Sequence, residues 1–259
     1  MVCALHPELS SESADGPNRG AKSPASERAR QPKRSFLVWL THELRTPLNA
    51  VLGYQELLLD GTYGTLSPEQ RKALEHGQRA ATHLQALVND LLDLAKLQSG
   101  WVQPDWQDVD VHAFAGELVT ILEPVARARG CGLTLAIDGP PRSLRTDPRK
   151  LRQVLWNLLA NACNYGADKP VELRVTLAGR QVRFAVRDRG PGIPSDDRAR
   201  IFDEFVQLEP DKGGTGLGLT IARALADVLG GRLEVDSTLG DGSCFTLELP
   251  LDPSRSLAA

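Results

Sequence analysis

From Phe36 onward, apolar residues recur at three- and four-residue steps through Leu37, Leu40, Leu44, Leu48, Val51 and Leu58, which lays one apolar stripe along a helix. The stretch "DGTYGT" breaks that helix, and "SPEQ" opens a second one, with Ser67 as cap, Pro68 at the first helical position and Gln70 closing a capping box. Leu74, Ala81, Leu84, Val88, Leu91 and Ala95 form the second stripe, which stops near "QSG", where Gly100 supplies the end signal. Two long helices joined by a short loop predict an antiparallel hairpin. A lone hairpin cannot bury both stripes, so pairing with a second copy into a four-helix bundle, a homodimer, is expected.

Beyond "WVQPDW" the period changes. "GELVTILEPVARARG" and "DPRKLRQVLWNLLANAC" keep helical spacing, whereas "LTLAID", "VELRVTL", "VRFAVRD", "RLEVDS" and "SCFTLELP" are short, β-branched and apolar, as strands are. Gly179 separates two of these strands as the turn of a hairpin. The expected fold class is α+β: a helical hairpin followed by a mixed sheet covered by helices on one face, a sandwich. The expected limits are a disordered N-terminal arm over residues 1–34, rich in Ser, Pro, Gly and both charges, the hairpin over 35–100, the sandwich over 105–251 and a tail over 252–259.

Composition narrows the classes. With 259 residues and 41% hydrophobic content the chain can bury one or two cores, and a net charge of −3 without a basic stripe gives no reason to expect nucleic acid. The four cysteines, Cys3, Cys131, Cys163 and Cys244, are scattered singly, which suggests neither a disulfide framework nor a zinc site and fits a reducing, cytoplasmic compartment. No run approaches the ~18 apolar residues of a membrane span, and the first residues lack the pattern of a secretory signal.

Candidate chemistry lies in both halves. His42 stands two residues from both Leu40 and Leu44, roughly 200° around the helix from the stripe, so it faces outward. In the second half, "NLLAN" puts Asn157 and Asn161 on one side of a helix, where their amides can reach one ion or one phosphate, or serve as helix-to-loop hydrogen bonders; the spacing leaves both open. "DRGPGIP" follows a strand, so Asp188 can accept from an exocyclic amine such as that of adenine while Gly190 and Gly192 leave room for a flat ligand. In "KGGTGLGLTIARALADVLGG", Gly213, Gly214, Gly216 and Gly218 run straight into an apolar helix, so free amides and the positive end of the helix dipole converge on an anion site. It is neither the P-loop nor the dinucleotide pattern. Between these segments, "IFDEFVQLEPDK" offers Phe202 and Phe205 as an apolar plug, or as core residues, and ends in Lys212. His76 and His83 are seven apart, ~10 Å along a helix axis, too far to share a metal. His112 begins a helix and His6 lies in the arm.

Taken together, "FLVWLTHELRTPLNAVLGYQELL", "LRQVLWNLLANACNYG", "DRGPGIP", "IFDEFVQ" and "GGTGLGLTIARALADVLGG" resemble the sensor histidine kinases of two-component systems, over about Phe36 to Pro250. The resemblance implies ATP-dependent autophosphorylation of His42 and transfer to an aspartate of a response regulator receiver domain. It implies that Glu43 takes or orients the imidazole proton, and that Thr46 orients water for dephosphorylating the regulator. It also implies a Bergerat-type ATP fold, shared with gyrase, Hsp90 and MutL proteins. On that pattern Asn161 coordinates Mg²⁺ with Asn157 assisting, and Asp188 binds the adenine amine. Asn164, Tyr165, Gly190, Gly192, Ile193, Lys212, Gly214, Thr215, Gly216, Leu217 and Gly218 complete the nucleotide pocket. Asn164 stands where the family usually has Lys or Arg, and the segment from Phe205 to Gly213 is shorter than is common. Those departures keep a second reading open, a dimeric nucleotide-binding scaffold without phosphotransfer. A clamp-like ATPase is a third, though it has no use for the His42-Glu43 helix. The input is expected to come from a separate sensor protein or from the N-terminal arm.

Overall fold

The computed structural model describes residues 43–100, 102–140, 142–166, 169–209 and 214–253. His42, Lys212, the N-terminal arm and the end of the tail lie outside the described residues.

Helix α1, described over residues 43–59, stays helical through Pro47 although that residue cannot donate to the carbonyl of Glu43. Helix α2, Pro68–Gln98, starts as the sequence requires: Ser67 accepts from the Gln70 amide, the Gln70 side chain accepts from the Ser67 amide, and Pro68 opens the first turn. The two run antiparallel, because Arg45 donates to Asn89 at 3.3 Å while Gln85, one turn back, donates to Asn49, one turn on, at 2.8 Å.

The expected stripe of α2 needs correction. Leu84 and Leu91 are about half exposed, whereas Ala81, Leu92 and Leu94 are buried, with Leu94 belonging to the main core of the sandwich. The C-terminal half of α2 therefore carries two apolar faces, one turned to solvent and one packed on the second half of the chain.

That second half holds β1 (Gln107–Asp110), α3 (Val111–Ala128), β2 (Leu133–Asp138), β3 (Ser143–Thr146), α4 (Pro148–Tyr165), β4 (Val171–Ala178), β5 (Gln181–Arg187), α5 (Gly218–Val228), β6 (Arg232–Thr238) and β7 (Gly242–Pro250). Five strands form one sheet in the order β2-β4-β5-β7-β6, with β2 and β4 parallel and the other pairs antiparallel. The small β1-β3 sheet was not anticipated; four-residue strands such as "QDVD" carry no alternation to read. Along β4 and β5 every second residue is buried, Val171, Leu173 and Val175 beside Val182, Phe184 and Val186, and this face meets α3, α4 and α5. Full burial of each such side chain is worth about 1.5–3 kcal/mol against exposure.

Helix α4 begins at Asp147, whose carboxylate accepts from the amides of Arg149 and Lys150, with Pro148 at the first position. Burial alone would raise the Asp147 carboxyl, but bonds from Lys150 and from the Asp105 amide hold it below the ordinary range. Leu151, Val154, Leu155, Leu158 and Leu159 anchor the inner face of α4 and leave Asn157, Asn161 and Asn164 only partly covered. Cys131, Cys163 and Cys244 are free thiols, and burial beside Cys131 pushes the Cys163 thiol up to about 12, so it stays protonated and inert.

Candidate functional site

A cavity of about 540 Å³ opens between α4, the loop after β5, the loop before α5 and one turn of α2. Asn157, Asn161, Asn164 and Tyr165 reach it from α4, Asp188, Gly192 and Ile193 from the loop after β5, and Gly214, Thr215, Gly216 and Gly218 from the glycine loop. Four segments far apart in the sequence thus share one hollow.

Asp188 is the buried charge of this hollow, 4% exposed. The end of β5 sets it there, because the Asp188 amide donates to the Ser243 carbonyl of the neighbouring β7 at 2.9 Å. Its Oδ1 accepts from the amides of Gly190 at 2.8 Å and Ser243 at 3.2 Å, and Oδ2 has no partner among the described residues. Burial pushes this carboxyl above its ordinary value, and the two amide bonds pull part of the way back. A fixed, desolvated acceptor at the base of a cavity is suited to one donor of a ligand.

Gly190 does not line the cavity, a correction. A Cβ on Gly190 would fall 2.2 Å from the carbonyl oxygen of Tyr165, so this glycine lets the loop close on the end of α4 rather than admitting a ligand. Gly192 does line it, with φ +74° and with a Cβ position 2.1 Å from the Thr238 carbonyl oxygen. Its amide neighbour, Ile193 N, donates to Ser237 Oγ at 2.8 Å, and that hydroxyl donates on to the Gly242 carbonyl at 2.8 Å. Leu217 is a second correction: it is fully buried in the hydrophobic core and contributes no wall.

The glycine loop is shaped by three bonds. Phe205 N donates to the Gly216 carbonyl at 3.0 Å, Gln207 Nε2 to the Gly214 carbonyl at 3.0 Å, and Asn157 Nδ2 to the carbonyl of Gly218, the first residue of α5, at 3.0 Å. Asn157 thus takes up the helix-to-loop role, while the Asn161 side chain has no hydrogen-bond partner among the described residues. Of the two phenylalanines in "IFDEF", Phe202 is core, edge-on to Phe245, whereas Phe205 is more than half exposed and holds φ +62°. Glu43 and Thr46 are exposed on α1 and do not line the cavity.

The wall contains residues that sequence reasoning missed. Trp156, Ile201, Ser243 and Phe245 give it an apolar and hydroxyl lining. Asp90 of α2 is the least expected, and its Oδ2 accepts from Thr215 Oγ1 at 2.7 Å. Its position beside Leu91 and Leu92 carried no signal of contact with a loop 125 residues later.

The motifs, their order and this geometry agree with the comparisons. Residues 33–100 match the family model "His Kinase A (phospho-acceptor) domain", and residues 146–253 match "Histidine kinase-, DNA gyrase B-, and HSP90-like ATPase". The chain belongs to the sensor histidine kinases. It is 35% identical over 232 residues to the circadian input-output histidine kinase CikA of Synechococcus elongatus, covering 87% of this chain and 31% of that protein. It is 38% identical over 232 residues to the aerobic respiration control sensor protein ArcB of Escherichia coli, covering 87% of this chain and 29% of that protein. The chain therefore spans about a third of the length of these curated relatives. Among solved structures, full-length ShkA in complex with AMPPNP superposes with a TM-score of 0.73 at 35% identity, covering 83% of this chain and 45% of that one. Among the described residues, no helix is long and apolar enough to cross a membrane.

Proposed function

We propose that the chain is the catalytic core of an ATP-dependent protein-histidine kinase, which phosphorylates its own His42 and passes the phosphoryl group to an aspartate on a response regulator receiver domain. The observation that carries the nucleotide reading is Asp188, which lines the cavity with a buried carboxylate fixed by two backbone amides at Oδ1 and unpartnered at Oδ2 among the described residues. Such a group accepts from the amino group of adenine. The complex of ShkA with AMPPNP supports a nucleoside triphosphate as the ligand. Gly214, Thr215, Gly216 and Gly218 offer backbone to its phosphates at the N-terminal end of α5, where amides and helix dipole favour an anion.

Asn161 fits a hard cation, since its amide oxygen lines the cavity and is committed to no other group among the described residues. It would hold Mg²⁺ with Asn157 assisting; the ion, when bound, neutralises charge on the transferring phosphate. A ring nitrogen of neutral His42 attacks the γ-phosphorus, forming a P–N bond as the bond to the leaving oxygen of ADP breaks, and Glu43 takes the imidazole proton. In the second transfer a carboxylate oxygen of the regulator's aspartate attacks the phosphohistidine and the imidazole is restored. Thr46, exposed on α1 four residues after His42 in sequence, would orient the water that hydrolyses the regulator's aspartyl phosphate.

The hairpin supports a homodimer. Leu44, Val51, Tyr54 and Leu57 of α1 and Leu84 and Leu91 of α2 are each at least 40% exposed, more apolar surface than a hairpin leaves to water without a partner.

The deciding experiment is incubation with γ-labelled ATP and Mg²⁺. Acid-labile, base-stable label that is lost in His42→Gln and in Asp188→Asn is the expected result. Tight ATP binding with no label on the wild type would replace the kinase with a nucleotide-binding scaffold.

A further inference from the structure

The walls of the cavity carry an unusual charge. Asp90, Asp188, Asp197 and Glu209 line it, and no Lys, Arg or His does so among the described residues. Asn164 lines this wall where the family resemblance leads one to expect Lys or Arg. Asp197 is ion-paired with Arg200 at 2.6 Å, whereas neither Asp90 nor Asp188 has a cation partner among the described residues. Three of the four acids, Asp188, Asp197 and Glu209, belong to the second half of the chain, as the other walls of the cavity do. Asp90 is different, because it arrives on α2.

Its contact is specific. Asp90 Oδ2 accepts from Thr215 Oγ1 at 2.7 Å, and the same hydroxyl oxygen accepts from the Leu217 amide at 3.2 Å, at the entrance to α5. The Leu217 amide, at the start of α5, is therefore bound by Thr215, and Thr215, which lines the cavity, is bound by Asp90. Two further contacts seat the same stretch of α2: Gln153 of α4 donates to Asp93 at 3.2 Å, and Gln98 donates to Glu204 at 2.7 Å. Leu94 is buried in this docking, as a member of the main core of the sandwich. Burial also pushes the Asp90 carboxyl above its ordinary value, as expected of a charge held away from water without a cation beside it.

We propose that Asp90 is a stand-in anion at the phosphate end of the cavity, so that docking of α2 on the glycine loop and binding of a nucleoside triphosphate oppose each other. This rests on the nucleotide reading of the cavity. The coupling is reciprocal: whatever factor Asp90 takes from nucleotide affinity, nucleotide takes from the docking of α2. Seating the triphosphate then frees α2, and with it the hairpin that carries the phosphoacceptor.

The test is calorimetric titration of the full chain with ATP, with and without Mg²⁺, in the wild type, in Asp90→Asn and in Glu75→Gln. Asp90→Asn keeps size and hydrogen-bonding capacity while removing the charge. Glu75→Gln is the control, the same loss of charge on α2 about four turns before Asp90 and away from the cavity wall. The expected result is ATP binding about tenfold tighter in Asp90→Asn and unchanged in Glu75→Gln, a size within the usual range of coupling between sites. Hydrogen exchange supplies a second readout: ATP should speed exchange of the amides of residues 88–98 in the wild type. Equal affinity in Asp90→Asn, or equal tightening in both variants, overturns the proposal and leaves the nucleotide site standing. Weaker binding in Asp90→Asn confined to the Mg²⁺ titration also overturns it, by making Asp90 a helper of the metal. No binding of ATP by the wild type removes the nucleotide reading itself.

Discussion

Asn157 on α4 donates its side-chain amide to the carbonyl of Gly218 at 3.0 Å, and this single bond ties the helix bearing the asparagines to the first residue of α5. Asn161, one turn further, has no such partner among the described residues. Two residues of the same type and spacing therefore do different work. Asn157→Asp removes the donor and sets a carboxylate against a carbonyl, which should cost about 1–3 kcal/mol in chemical denaturation. Asn161→Ala should cost well under 1 kcal/mol and remove Mg²⁺-dependent nucleotide binding in calorimetry. Equal stability losses in the two variants would contradict this division.

The glycine loop separates in the same way. A Cβ on Gly216 would lie 2.8 Å from the Cα of Phe205, and its φ of +70° strains any other residue, so Gly216→Ala should destabilise the fold by at least about 1–2 kcal/mol. A Cβ on Gly218 meets nothing nearer than Asn157 Cγ at 3.9 Å, and α5 gains a better helix former. Gly218→Ala should keep or raise the melting temperature and weaken ATP binding about tenfold or more, because the added methyl stands where phosphate approaches the backbone. If Gly218→Ala binds ATP as the wild type does, Gly218 does not line the phosphate end.

The motifs made the site legible because each ties a residue type to a local backbone shape. Ser67-Pro68-Gln70, the Gly179 turn, and Asp188 at the end of a strand all lie where their chemistry demands. What stayed hidden depends on contacts between distant segments. The burial of Leu94 in the core that α5 shares, while Leu84 and Leu91 stay half exposed, follows from α2 packing on the second half of the chain, which a helical period cannot foresee. Gly190 was read as space for a ligand when its real neighbour is the Tyr165 carbonyl, 25 residues earlier and invisible until the fold closes. Asp90, in "NDLLDLAK", belongs to no motif, so its bond to Thr215 shows only once the fold closes.

The outward apolar face of the hairpin has a direct test. Leu84 and Leu91 are 51% and 50% exposed and lie seven residues apart on one side of α2. Leu84→Glu and Leu91→Glu each place a charge on that face without disturbing the buried side. Each should weaken the dimer about tenfold or more in sedimentation equilibrium, with the helical signal of the monomer kept. A wild type that stays monomeric at high concentration would count against the four-helix bundle.

Asp188 gives a stability profile with a defined sign. Its folded carboxyl is raised by burial, so between the ordinary aspartate value of about 4 and the raised folded value the native state holds a proton that the unfolded chain has released. Stability therefore falls as pH rises through that window, and the burial cost is relieved below it. Asp188→Asn keeps an Oδ1 that accepts from Gly190 and Ser243 but carries no charge at any pH. Its stability relative to the wild type should be lowest below about pH 4, climb as pH rises through the folded value and then level off. The raised carboxyl of Asp90 is common to both proteins and cancels in the difference. Parallel curves in urea denaturation from pH 3 to pH 7, approximately, would show that the Asp188 charge is not buried as described. In the same window the wild type should lose ATP affinity on acidification, because a protonated Asp188 offers the adenine amine a weaker acceptor.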